Sequence, residues 1–265
     1  MASSTVLVLS KSDYTEQTLL STNSPAVPES DALPPSTVLV RTTLIALTAN
    51  NLSYARGGSI LHWWSTYPVP SSLPEPFNSP ETYGIVPAWG YGTILASSIP
   101  ELKPDTVLWG YFPVSTLPVS LLLTPSNGAV GHWIEQSPHR TNVLPLYQRY
   151  VVDPTPSLAN TSSLELNKLA WRALILPLWE CGYVLNRFVF PQSPTNEALH
   201  PSGTRLPWPT SSGNLADALV IILAASSKTA LCLAQQLKYN RTQDQGSLLG
   251  VVGVTSESSL SFVQN

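Results

Sequence analysis

Charge is what this chain has least of. Its 13 Lys/Arg and 16 Asp/Glu make up 11% of 265 residues, against roughly 25% in an average domain. The net charge is −3 and the cations are scattered, so no basic stripe is available to hold nucleic acid. Cysteine is nearly absent as well. Cys181 and Cys232 are too few for a disulfide scaffold or a structural zinc site, and their apolar helical surroundings predict reduced core residues. His62, His132, His139 and His200 stand apart from both cysteines, and zinc needs three or four suitably placed ligands. No metal is expected. Long apolar runs are missing too: Arg172, Glu180 and Arg187 interrupt the best one, so no segment is expected to span or sit in a membrane. The N-terminus lacks the apolar stretch of a secretory signal. A soluble, reducing, cytoplasmic setting is the expectation.

What is present argues for a folded chain. Apolar residues make up 43%, enough for an ample core at this length. The 25 prolines are roughly twice the usual share and lie mainly upstream of residue 213. Residues 5–9 read as a short strand before a polar Ser/Thr/Pro region that runs to Pro35. Residues 37–47, TVLVRTTLIAL, are rich in β-branched side chains and read as a strand. Residues 48–58 read as a cap, one or two helical turns and a glycine stop. After a Pro/Ser/Trp loop over 59–82, strands are expected within 83–95 and over 105–112, 117–123 and 148–152. The first half is therefore all-β, a compact barrel or sandwich. Residues 164–189 carry apolar positions at helical spacing, with a kink or break expected at Pro177 or Gly182.

The last 50 residues have a different texture. An apolar run over 218–225 ends in Ser226-Ser227-Lys228-Thr229. A helical pattern follows in Ala230, Leu231, Ala234 and Leu237, and a second apolar run covers 248–254. Runs apolar without alternation, separated by a helix, predict parallel strands covered on both faces and joined by a βαβ crossover. The turn after the first strand would then set a helix N-terminus where a phosphate can bind. The organisation expected is an all-β domain over 1–156, a bridging helix over 157–192, a Pro-rich linker over 193–212 and an incomplete cofactor domain over 213–265. Two strands make no covered sheet, so the chain reads as C-terminally truncated, and self-association through that sheet is expected.

This order of parts resembles the medium-chain dehydrogenase/reductase superfamily, of the quinone oxidoreductase-like kind. TVLVRTTLIALTANNLSYARGG is similar to that superfamily's strand-plus-helix segment, IVPAWGYGTILAS to a proline-led segment before the next strand, and ADALVIILAASSKTALCLAQQL to the first strand, phosphate turn and helix of its cofactor domain. Within or beside it, the chain resembles an uncharacterised, largely fungal and bacterial domain-of-unknown-function family, through Trp-Gly after Pro, the Ala-Ser-Ser-Lys-Thr turn and Thr-Ser after the second strand. The resemblance implies a mixed α/β fold: an N-terminal GroES-like β-barrel, then the first βαβ part of a Rossmann-like parallel sheet. It also implies a zinc-independent, NADP-linked oxidoreductase acting on a small carbonyl or activated alkene. Cofactor contacts would fall on Ala225, Ser226, Ser227, Lys228, Thr229, Thr255 and Ser256. Asn51 and Tyr54 are the catalytic candidates, and Trp89 and Tyr91 the substrate-pocket candidates.

Two departures qualify the implication. Pro87-Ala88-Trp89-Gly90-Tyr91 carries no metal ligand where zinc-dependent members have one. The turn also lacks the glycines of G-x-G-x-x-G, so Ser226-Ser227 is equally readable as a helix cap with a solvated Lys228. At the second strand end, Val254-Thr255-Ser256 offers hydroxyls and no acid, which suits a 2′-phosphate better than a free ribose. Little stabilisation by NADPH is expected of so short a cofactor domain. A non-catalytic relative that binds a small molecule or a partner is the alternative.

Overall fold

The computed structural model describes residues 3–191, 198–203, 206–241 and 248–264. The expected linker over 193–212 falls partly outside them. The chain resolves into two compact units, Met1–Leu174 and Ile175–Asn265.

The first unit is built on a closed six-stranded barrel. Its strands are β3 (Thr37–Ala46), β5 (Ala88–Ser97), β6 (Val107–Phe112), β7 (Val119–Pro125), β8 (His132–Glu135) and β9 (Arg149–Val152). They run β3-β5-β6-β9-β8-β7 around the barrel, every neighbour antiparallel, with β7 returning to β3. The β-branched alternation of β3 turns Val38 and Val40 inward, where they meet Ile94, Leu108, Phe112, Leu121 and Leu123. β6 reads VLWGYF and is buried along its whole length. Leu108 and Phe112 face the barrel core, while Tyr111 faces an aromatic cluster outside it. Glycine lets the staves close. A Cβ on Gly90 would stand 2.1 Å from the Leu44 carbonyl oxygen, and one on Gly110 would stand 2.4 Å from the Tyr150 ring.

A smaller sheet, β2-β1-β4, joins β1 (Ser3–Ser10), β2 (Gln17–Asn23) and β4 (Tyr83–Gly84). β1 is also stitched to residues 113–117. Leu7 N–H donates to Val114 O, Thr116 N–H to Thr5 O, and the Ser115 hydroxyl to Thr5 O. Two short helices, α1 (Asn50–Arg56) and α2 (Trp63–Thr66), follow β3. Gly57 closes α1 at φ −85°, without the left-handed turn that a glycine stop usually marks.

α3 (Ser163–Val184) runs unbroken through Pro177 and Gly182, which corrects the expected break, and a π-turn, Leu185–Val189, extends it. The division between the two units falls inside this helix.

The second unit holds α4 (Thr210–Gly213), β10 (Leu219–Ile222), α5 (Lys228–Tyr239), β11 (Gly250–Gly253) and α6 (Leu260–Gln264). β10 and β11 pair in parallel, Leu219 opposite Gly250 through Ile222 opposite Gly253, with α5 as the crossover. Parallel pairing is as the unbroken apolar runs predict. Coverage on both faces is not: Leu219, Ile221, Leu249, Val252 and Val254 are all exposed. The cysteines divide as well, Cys232 being buried and Cys181 exposed. Gly182, beside Cys181, packs against the Cys232 backbone, where an added Cβ would stand at 3.0 Å.

Among the described residues no helix is long and apolar enough to cross a membrane, and no group of three His, Cys, Asp or Glu could hold a metal ion.

Candidate functional site

The two strands and helix of the second unit place seven of the candidate residues at one end of a parallel sheet. β10 delivers the chain to a turn at residues 223–227, and Ser227 caps α5, its Oγ accepting from Ala230 N–H at 3.2 Å. Leu231 N–H bonds Ser227 O at 3.0 Å. The first N–H groups of a helix have no partner within it, and among the described residues those of Lys228 and Thr229 are the two left for an incoming oxygen. The Lys228 and Thr229 side chains are both exposed. None of Ala225, Ser226 or Ser227 takes a positive φ, so this turn forms without the conformation that a glycine would supply. Glycine is used on the neighbouring strand instead. A Cβ on Gly253 would lie 2.8 Å from that of Ala225, and Ala225 N–H donates to Val254 O at 3.0 Å. The end of β11 therefore closes directly onto the turn. Just beyond it, Thr255 carries a buried Oγ1 with no hydrogen-bond partner among the described residues. The Ser256 hydroxyl is engaged locally by Ser258 and Ser259, at 3.0 and 3.2 Å.

The other four candidates lie in the first unit and have structural partners. Asn51 spends both ends of its amide on the backbone: Oδ1 accepts from Thr48 N–H at 2.7 Å, and Nδ2 donates to Pro87 O at 3.1 Å. It borders a cavity of about 250 Å³ shared with Leu9, Tyr14 and Val86. Tyr54 is buried edge-on to Trp63, Tyr111 and Tyr147, its hydroxyl 3.4 Å from that of Tyr147. Trp89 stacks on Trp109 with centroids 5.6 Å apart and tilts against Tyr111 and Tyr147. Tyr54 and Trp89 thus share one aromatic cluster. Tyr91 is completely buried against Trp109, and burial pushes its hydroxyl up to about 12, with Arg172 partly offsetting that.

One constellation carried no signal in the sequence. Arg140 and Glu135, 1% and 0% exposed, are buried with their charges in the barrel unit. The Arg140 Nη1 donates to the Tyr150 hydroxyl at 3.0 Å. The Tyr150 and Tyr67 hydroxyls lie 2.7 Å apart and stand 2.9 and 2.7 Å from Tyr111 O, so with one proton each, one donates to the carbonyl and the other to its fellow hydroxyl. Arg140 follows the apolar-polar alternation of β8 by only five positions, in a Ser-Pro-His-Arg turn that has every mark of a solvated loop. Burial there comes from long-range packing, which no local spacing reveals.

No curated protein matches the sequence. Several solved structures align along nearly the whole chain at low identity. The human synaptic vesicle membrane protein VAT-1 homolog-like protein aligns at 11% identity and a TM-score of 0.46, over 99% of this chain and 59% of that one. The CurF ER cyclopropanase from the curacin A biosynthetic pathway aligns at 14% and 0.49, over 98% and 57%. The Etr1p/NADP/crotonyl-CoA complex aligns at 13% and 0.44, over 96% and 61%. The chain thus spans about three fifths of the length of each of these. The family match is more direct: residues 45–265 fit the sequence model described as "Protein of unknown function (DUF2855)", and the chain belongs to that family.

Proposed function

We propose that the chain is a zinc-independent, NADP-linked oxidoreductase-like protein whose β10–α5–β11 unit holds the adenosine-phosphate half of the cofactor in a Rossmann-like manner and follows a GroES-like barrel in the sequence. The observation that carries this reading is the placement at one end of the parallel pair. There the α5 N-terminus, two backbone N–H groups and the Thr255 hydroxyl, none with a hydrogen-bond partner among the described residues, stand on the two strand ends beside a turn of small residues. The residues present fit such a group. Helix N-termini favour anionic oxygens, and Lys228 adds a positive charge on the exposed side. Thr255 and Ser256 offer hydroxyls where an acid would repel a 2′-phosphate. Bound NADPH would supply a hydride to a small carbonyl or activated alkene. The protein's own part here is to grip the phosphate and orient the nucleotide. Asn51 takes no part in proton transfer in this reading, because its amide is committed at both ends. Trp89 and Tyr91 serve as walls of the aromatic cluster and not as donors.

Titration of the isotope-labelled chain with 2′,5′-ADP tests this by amide chemical shifts. Perturbations confined to residues 225–229 and 255–256, larger than with 5′-AMP and reduced in Lys228→Ala, are the expected result. Millimolar affinity of the half-ligand agrees with a small shift in melting temperature, since stabilisation follows the logarithm of ligand over dissociation constant. Absent perturbations, or perturbations elsewhere, overturn it.

A second reading rests on the exposed apolar side chains of β10 and β11: a non-catalytic relative that self-associates through this uncovered pair. Sedimentation velocity would show a concentration-dependent dimer, abolished by Ile221→Lys with Val252→Lys. A monomer at every concentration counts against it.

A further inference from the structure

β2 reads QTLLSTN and is the outer strand of the β2-β1-β4 sheet, with β1 as its one neighbour there. In an antiparallel ladder, residue pairs alternate between those that exchange both backbone hydrogen bonds and those that exchange none. The parity is fixed here. Ser10 N–H donates to Glu16 O, whereas Leu7 N–H and Thr5 O bond Val114 and Thr116 on the other side of β1. Even-numbered residues of β1 therefore bond β2. Ser4, Val6 and Val8 stand opposite Thr22, Leu20 and Thr18, which are thus the β2 residues bonded to β1. The backbone N–H and C=O groups of Gln17, Leu19, Ser21 and Asn23 point the other way, out of the sheet edge. Among the described residues nothing bonds them. Their side chains are exposed too, Leu19 by 67%.

Soluble proteins ordinarily blunt such an edge with a charge, a proline or a bulge. β2 has none of these: no residue in it is charged or proline, and its register with β1 runs without a shift. Its sequence is also a chemical palindrome about Leu20. Gln17 mirrors Asn23, Thr18 mirrors Thr22, and Leu19 and Ser21 are the one unlike pair. We propose that β2 is a docking edge for a second copy of this chain, whose own β2 runs antiparallel to it across a two-fold axis at Leu20. The odd-numbered residues then exchange backbone hydrogen bonds, and the two sheets become one. A two-fold axis requires a patch complementary to itself, and this strand meets that condition. Amide faces amide at Gln17 and Asn23, and hydroxyl faces hydroxyl at Thr18 and Thr22. Leu20 meets its counterpart at a non-hydrogen-bonded position, where side chains approach most closely. An extended peptide of other sequence lacks these matched pairs. Seven residues fall well short of the roughly 20–30 a side in a stable complex, so the dimer is weak and dissociates on dilution. The contact uses no residue of the β10–α5–β11 unit and stands apart from both readings above.

Residue-resolved amide hydrogen exchange of the 265-residue chain, in dilute and in concentrated solution, tests the pairing. Thr18, Leu20 and Thr22 should be protected in both. Protection of Leu19 and Ser21 should rise by about tenfold on concentration, as their outward amides find partners. Sedimentation velocity reads the same equilibrium as a shift from monomer to dimer. Ser21→Pro removes an outward N–H without costing a bond to β1, and it should leave a monomer at every concentration. Should that variant fail to fold, Leu19→Lys sets a charge at an exposed position and should have the same effect. The dimer should persist in Ile221→Lys with Val252→Lys, which separates it from association through β10 and β11. A wild-type chain monomeric at every concentration, a dimer in which Leu19 and Ser21 stay unprotected, or a dimer that survives the β2 substitutions each overturns the proposal.

Discussion

Three buried phenols set how the barrel responds to alkali. Burial is the leading cause that raises Tyr67, Tyr91 and Tyr111 above the ordinary value of 10.0, Tyr91 to about 12. The folded state then keeps protons that the unfolded state releases, so their contribution is complete below pH 10 and falls progressively above it, through about 12 for Tyr91. Denaturant midpoints should hold steady up to pH 9 and drop steeply above 10, with part of the drop removed in Tyr91→Phe. A midpoint in Tyr91→Phe that tracks the wild type throughout would show that this hydroxyl has no such linkage. The resemblance to the reductase superfamily marked Tyr91 and Trp89 as pocket residues. It could not tell a ring that lines a cleft from one sealed beneath another strand, because both follow the same alternation. Asn51 shows the same limit in reverse: the resemblance sets it at a cleft, and its hydrogen bonds fasten Thr48 to Pro87. Arg140 had no local signal of either kind.

The β10–α5–β11 crossover was the most legible element, since length, small-residue turn and amphipathic helix all agree on it. The hydroxyl of Ser227 is its pivot, because one side chain both caps α5 and borders the proposed phosphate position. Ser227→Ala should lower stability by about 1 kcal/mol through loss of the cap. Ser227→Asp should restore the cap yet weaken 2′,5′-ADP binding, since a carboxylate there repels the ligand's phosphate. Denaturant melts and amide-shift titration of both variants separate the two roles, and unimpaired binding by the aspartate variant would count against a phosphate at this turn. Other elements escaped notice for identifiable reasons. β2 alternates between exposed and half-buried side chains, with no run of large apolar residues, and β8 has four residues, too few for a period to register. Pro177 was read as a kink or a break, and α3 continues through it. A proline costs a helix one hydrogen bond and some strain, roughly 3 kcal/mol, which the other residues of a 22-residue helix outweigh.

At the scale of the whole molecule, an all-β first half, barrel or sandwich, was legible from the strand pattern, and the choice of a barrel came with the resemblance. Closure depends on Thr37–Val40 meeting Val119–Leu122, a pairing between distant segments that no periodicity encodes. That pairing bears on how the family's shared region is delimited. The match begins at residue 45, whereas β3 is Thr37–Ala46. Expression trimmed to the matched residues would pull one stave from the cask. β5 and β7 would become raw seams, each offering unpaired amides and carbonyls to any neighbouring copy. Light scattering of that fragment should reveal large particles where the 265-residue chain gives none, and a well-dispersed fragment would mean that the ring can reseal with five. Crystallographers and enzymologists who take up relatives of this chain would do well to carry the forty-odd preceding residues along, because the wall of the vessel starts there.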